Sequence, residues 1–128
     1  MKSPINWFEI PVVDFERAKR FYAAMLSCEI NDMPMPETKT KYAMFPYEQG
    51  LGTGGVLVYG EEYKPSITGS LIYFNAGEGD NISSVLSRVE KAGGKIVLPK
   101  TSIGQYGFIA HIIDSEGNKV ALHSRLAK

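Results

Sequence analysis

The chain has 128 residues, 44% of them hydrophobic and 22% charged, which suits one compact domain with a buried core. Acidic and basic residues balance at 14 each, so no net field draws the protein toward nucleic acid, an anionic membrane or a cationic ligand. The opening "MKSPINWFEI" lacks the apolar centre of a leader, and no apolar run reaches the roughly 18 residues a bilayer demands, so neither export nor membrane spanning is expected.

Period-two patterning predicts a first strand near 5–13, followed by a helix in "DFERAKRFYAAML". There Phe15, Ala18, Tyr22, Met25 and Leu26 share one face, and Asp14 stands where a helix cap belongs. Further strands are expected near 29–34, 41–47 and 55–60. A fifth follows near 70–76, then a second helix in "DNISSVLSRVEKAGG", with Ile82, Val85, Leu86, Val89 and Ala92 on one face. Asp80 or Asn81 caps its start and Gly93-Gly94 ends it. Three strands close the chain, near 95–100, 107–113 and 119–124. Between the second and third strands, Pro34 to Tyr42 reads as a mobile loop over a cleft mouth. The lone Cys28 has no internal partner for a disulfide. It reads as a small buried hydrophobe in a reducing, cytoplasmic setting.

Each half therefore reads strand, helix, three strands. Asp14 precedes Ile30 by 16 residues, as Asp80 precedes Ile96, and "GTGGVLVYG" stands 64 residues before "EGNKVALHS". This spacing predicts an α+β fold of two tandem βαβββ half-modules, about 1–64 and 65–128, within a single domain spanning 1–128. Each module is expected to place one main helix on the convex face of a curved mixed sheet, with a shared cleft between the sheets. In the first strand Phe8, Ile10 and Val12 belong under a helix, leaving Trp7, Glu9 and Pro11 opposite. In the fifth, Ile72, Phe74 and Ala76 match the first set, and Leu71, Tyr73 and Asn75 the second. Mixed faces on two related strands are what a ligand cleft shows: apolar walls with a few convergent polar groups.

Three segments, "INWFEIPVVDFERAKRFYAAML", "VLSRVEKAGGKIVLPKT" and "HIIDSEGNKVALHS", resemble the vicinal oxygen chelate superfamily, which includes glyoxalase I, extradiol dioxygenases and bleomycin-resistance proteins. The resemblance covers essentially the whole chain. It implies paired βαβββ modules, a cleft between curved sheets and, commonly, a homodimer. In metal-using members the ligands come from the first and last strands of each module. Carried over, those positions fall on Trp7, Leu71, Ala121 and, within a residue or so, Leu57. None supplies the imidazole, carboxylate or thiolate a divalent cation needs, so no metal or other cofactor is expected.

Of the polar groups that remain, Glu9 is expected to face the cleft two residues beyond Trp7. There it serves as a general base, as an anchor for a donor-bearing ligand, or simply as a strand glutamate satisfied by a neighbour or water. Trp7, Tyr59 and Tyr73 are candidates for an aromatic wall, and Asn75 shares a strand face with Tyr73. His123 shares its face with Ala121, while His111 lies on the preceding strand; each is expected to hydrogen-bond locally. "GTGG" lacks both the following helix and the lysine of a phosphate loop. The function expected is a metal-free, small-molecule-binding homodimer. The alternative is a lyase or isomerase of the glyoxalase/dioxygenase type with Glu9 as base. A strongly cationic glycopeptide such as bleomycin would be better matched by an acidic cleft than by a neutral protein.

Overall fold

The computed structural model describes residues 3–36, 38–48 and 50–128, so Met1, Lys2, Glu37 and Gln49, including parts of the opening stretch and of the 34–42 loop, lie outside it. The alternating segments form strands in chain order with the helices between them: β1 (Trp7–Pro11), α1 (Phe15–Leu26), β2 (Asn31–Asp32), β3 (Lys41–Met44), β4 (Gly54–Tyr59), β5 (Tyr73–Glu78), α2 (Asn81–Leu86), β6 (Lys95–Ser102), β7 (Phe108–Ile113) and β8 (Lys119–Arg125). They make two four-stranded sheets, ordered β1-β4-β3-β2 and β5-β8-β7-β6. In each the first strand pairs in parallel with the last and the other pairings are antiparallel. Each sheet with its helix is a βαβββ module, as the repeat spacing predicts.

α1 begins where Asp14, in extended conformation, accepts the Arg17 N–H on its side chain, and it ends at Ser27 in the left-handed region. α2 is shorter than its periodicity suggests. Only Asn81–Leu86 is regular; beyond it the chain tightens into three-residue turns, with Arg88 N donating to Val85 O and Val89 N to Leu86 O. Serine competition explains part of this, since the Ser87 hydroxyl donates to the Ser84 carbonyl. Asp80 stands at the N-terminus of α2 without capping it, because its carboxylate takes the Ser83 hydroxyl and the Lys100 ammonium instead.

The two modules share one core. Ile10 and Val12 of the first module and Phe74 and Ala76 of the second are buried in the same apolar cluster as Phe21, Tyr22 and Met25 of α1. Phe74 is central to it, with ring centroids 6.0 Å from Phe8, 5.5 Å from Tyr22 and 5.4 Å from Phe45. Gly94 is required by this packing: a Cβ there would stand 2.6 Å from the Phe21 ring and 2.8 Å from the Ile113 carbonyl oxygen. Both sheets thus turn their helix-covered faces toward a common interior, and their opposite faces look outward from it.

A turn in the second module locks this arrangement. Between β7 and β8, Glu116 reaches the start of α1, where its carboxylate accepts the N–H groups of Val13 and Asp14 at 2.9 and 2.6 Å and the Arg17 Nε at 2.7 Å. Asn118 donates to the Pro11 carbonyl at 2.7 Å and accepts the Ser66 N–H at 3.0 Å. Asp114 accepts the Tyr22 hydroxyl inside the core, and burial first, then the Asp114 charge, pushes the Tyr22 phenol well above its ordinary value. Burial alone would push the Glu116 carboxyl up. The Arg17 guanidinium, the two backbone N–H groups and the Ser115 hydroxyl outweigh it and leave the carboxyl below its ordinary value.

Because Glu116 titrates lower in the folded than in the unfolded chain, its stabilisation is complete above the ordinary carboxylate range and is lost as pH falls through the lowered folded value. Glu116→Gln should cost about 1–3 kcal/mol at neutral pH, since a charge-assisted buried acceptor is replaced by an amide. Urea unfolding measured at several pH values should show the acid-side loss of stability become shallower in the variant. An unchanged pH slope would separate Glu116 from the acid sensitivity of the fold.

Candidate functional site

The outward face of the first sheet follows from strand register. Trp7 pairs with Gly54, Glu9 with Val56 and Pro11 with Val58, while Met44 and Tyr42 of β3 continue the same rows. Val56 and Val58 are buried yet stand outside the helix-side cluster, so they form the floor of this face. Trp7 is 38% exposed and meets Tyr47 edge-on at 6.4 Å, and Gly54 leaves room for its ring, since a Cβ there would lie 2.8 Å from it. Glu9 is exposed on this face, directed away from the helices. Its carboxylate charge is the chief reason the Tyr63 phenol is held above its ordinary value, with Tyr42 as the second contributor. Tyr63 is therefore near enough to Glu9 to feel its charge, with Tyr42 as a further neighbour. Tyr42 and Tyr63 were missed in the sequence: Tyr42 was readable from the alternation of β3 around buried Ala43, whereas Tyr63 sits in a loop with no periodicity to expose it.

On the second sheet, Tyr73 and Asn75 of β5 pair with Ala121 and His123 of β8, and His111 of β7 pairs with Ala121 from the other side. These five residues share the outward face. The Tyr73 hydroxyl lies 3.3 Å from His111 Nε2, closing over Ala121, whose small side chain leaves the space they occupy. Burial, then the Lys119 charge, pushes the His111 imidazole below its ordinary value and favours its neutral form, which can donate or accept in that contact. His123 bonds to the Tyr106 carbonyl through Nε2 at 2.8 Å, at the rim. Asn75 uses its side-chain oxygen to accept the Gly77 N–H.

Several expected positions shift. Tyr59 does not join Trp7: it lies on the helix-covered side of its sheet, paired with Lys41, whose ammonium is 5.7 Å from the Tyr59 ring and 6.0 Å from that of Phe15 in α1. Leu57 faces the core opposite Ile10, so the outward residues of β4 nearest Trp7 are Gly54 and Val56. The counterpart of Trp7 is Tyr73 rather than Leu71, because each stands seven residues before the aspartate at the start of its helix, Asp14 or Asp80, and each pairs with the last strand of its module. The described residues of the segment after β2 line a surface groove with Phe15 and Glu16 at the start of α1, and Tyr42 of β3 lines it too.

A cavity of about 750 Å³ lies elsewhere, on the helix side at the seam of the modules, between the end of α1, β1, β5 and α2. Tyr73 and Asn75 reach its edge; Trp7, Glu9 and His123 do not line it.

The sequence pattern described as "Bleomycin resistance protein-like N-terminal" matches residues 5–46. A Mycobacterium bovis protein named "Putative glyoxylase CFP32" is 26% identical over 119 residues, 91% of this chain and 44% of that protein, so the chain spans less than half the length of the curated relative. Among solved structures, TnmS3, an antibiotic binding protein from Streptomyces sp. CB03234, is 25% identical with a TM-score of 0.65, covering 98% of each chain. The fosfomycin resistance protein FosX from Listeria monocytogenes shares the fold with a TM-score of 0.72 at 14% identity, over 98% of this chain and 93% of its own. The chain thus shares its fold with antibiotic-binding and fosfomycin-resistance proteins and is similar in sequence to a putative glyoxylase, in keeping with its resemblance to the vicinal oxygen chelate superfamily.

That superfamily is named for a bound divalent metal, and the residues here do not fit one. The four outward positions where its ligands stand are Trp7, Gly54, Tyr73 and Ala121, none of them an imidazole, carboxylate or thiolate. Among the described residues no three His, Cys, Asp or Glu side chains converge as a metal site requires. No helix of the described residues is long and apolar enough to cross a membrane.

NMR titration of the His111 ring should place its midpoint below that of an ordinary imidazole. Lys119→Met should move it upward but not fully back, because burial is the larger cause. A midpoint indifferent to Lys119 would remove that residue from the electrostatics of the second face.

Proposed function

We propose that the protein is a metal-free binder of a flat small molecule bearing a hydrogen-bond donor, acting as a homodimer with two equivalent clefts. The observation that carries this reading is the pair of outward faces, aromatic and polar, at positions that in metal-using relatives hold ligands. Trp7, Glu9 and Tyr42 share one, with Tyr63 close enough to feel the Glu9 charge, and Tyr73, Asn75, His111 and His123 share the other. Trp7 and Glu9 lie on β1 and Tyr73 and Asn75 on β5, each an unpaired edge of its sheet. Such edges are normally covered. A two-fold dimer that sets β1 of one copy beside β5 of the other covers both and joins the two faces into one cleft. The relative described as antibiotic binding supports sequestration, and the one named a putative glyoxylase supports the enzyme alternative below. The cleft offers one carboxylate among neutral groups, which suits a neutral or singly charged aromatic better than a polycation. The lone, half-buried Cys28 suits a reducing, cytoplasmic setting.

The alternative is a lyase or isomerase with Glu9 as general base, and one substitution separates the two. With a ligand found by quenching of Trp7 fluorescence, Glu9→Gln should weaken binding by about 1–3 kcal/mol if the carboxylate only accepts a hydrogen bond. An enzyme should keep its affinity and lose about 10²–10⁴-fold in turnover.

Purified, untagged protein should carry no stoichiometric Zn, Ni, Fe or Mn by elemental analysis, and one tight site per chain would overturn the metal-free reading. Light scattering at micromolar concentration should give twice the chain mass; a monomer would leave each cleft with a single wall.

A further inference from the structure

The seam cavity lies on the helix side of the sheets, touches the outward faces only where Tyr73 and Asn75 reach its edge, and has its own chemistry. Phe8, Phe45, Ile72, Phe74 and Val85 give it apolar walls, and its volume of about 750 Å³ lies within the ~300–1,000 Å³ usual for small-molecule sites. Among the described residues one cation lines it. Arg88, half-buried, donates from Nε to the Met25 carbonyl at 3.0 Å, an acceptor left open by the end of α1. The described residues form ion pairs through Arg17, Lys19, Lys100 and Arg125, and none of them gives Arg88 a carboxylate. Asn81 also lines the cavity, with one of its two amide N–H groups already donated to the Ala76 carbonyl.

A guanidinium has five N–H groups in a planar fork matched to a carboxylate. Its bond to Met25 fixes the side chain while leaving the terminal nitrogens, so much of the ordering cost of a bidentate pair is already met. Apolar walls around such a fork select an amphipathic anion. We infer that the seam cavity is a second binding site, taking a small apolar carboxylic acid whose carboxylate pairs with Arg88 and whose hydrocarbon body lies among Phe8, Phe45 and Phe74.

Octanoate, used below its micellar concentration, and 1-octanol, of the same length without the charge, are the probes. The single cysteine, Cys28, lines the cavity, so its rate of modification by a thiol reagent reports occupancy. On the wild-type chain octanoate should slow Cys28 modification at concentrations where octanol does not. In Arg88→Met the octanoate affinity should fall about tenfold or more, as expected for loss of a charge-assisted bond, while octanol is unaffected; Arg88→Lys should restore part of the loss. Equal protection by acid and alcohol, or none by either, overturns the inference on wild-type protein alone, whatever the stability of the variants. The cleft reading is tested apart from this: Glu9→Gln should leave octanoate protection of Cys28 unchanged, and coupled loss would mean a single site rather than two.

Discussion

The contact on which the rest depends is the carboxylate of Glu116 at the start of α1. A side chain from the second module fills the hydrogen-bonding end of a helix in the first, satisfying two backbone N–H groups and the Arg17 Nε at once. An anion belongs there, because helix N-termini present unpaired donors and a positive dipole end. Asn118 and Asp114 extend the same turn to the Pro11 carbonyl and the Tyr22 hydroxyl. The turn thereby fixes how the modules meet. The helix-covered faces of both sheets are drawn onto one core around Phe74, and the faces carrying Trp7, Glu9, Tyr73 and His111 are left outward.

That geometry links fold to function. Trp7, Glu9, Tyr73 and Asn75 of the proposed site lie on β1 and β5, the edge strands of the two sheets, where the proposed second copy would close a cleft over them. The same packing leaves a gap at the seam, between the end of α1 and α2, where Arg88 stands without a carboxylate among the described residues. One packing arrangement thus accounts for both the open faces and the cavity.

The fold was legible because it rests on local patterns. Alternation in β1 separated Phe8 and Ile10 from Trp7 and Glu9, and the repeat of strand, helix and three strands gave the modules. What the sequence did not carry was register between strands far apart in the chain. Leu57 reads as outward by repeat spacing, yet the parallel pairing of β1 with β4 sets it opposite Ile10 in the core. Tyr59 is misplaced for the same reason. Glu116 carries no local signal, since its role depends on a helix about a hundred positions earlier. Tyr63 gave no signal, because a loop residue near Glu9 in space has no period to betray it. α2 kept its apolar spacing but lost its regular winding to competing serine and turn bonds.

The central claim, that a cleft takes one wall from each of two copies, is tested most directly by mixing. One variant, Glu9→Ala with Tyr42→Ala, damages the wall of the first sheet; another, Tyr73→Ala with His111→Ala, damages that of the second. Neither homodimer should bind a compound that quenches Trp7 fluorescence in the wild type. In the mixed dimer the intact walls of the two chains meet in one cleft, so binding should return at half the wild-type stoichiometry. Mixed dimers that form and still fail to bind would contradict the shared cleft.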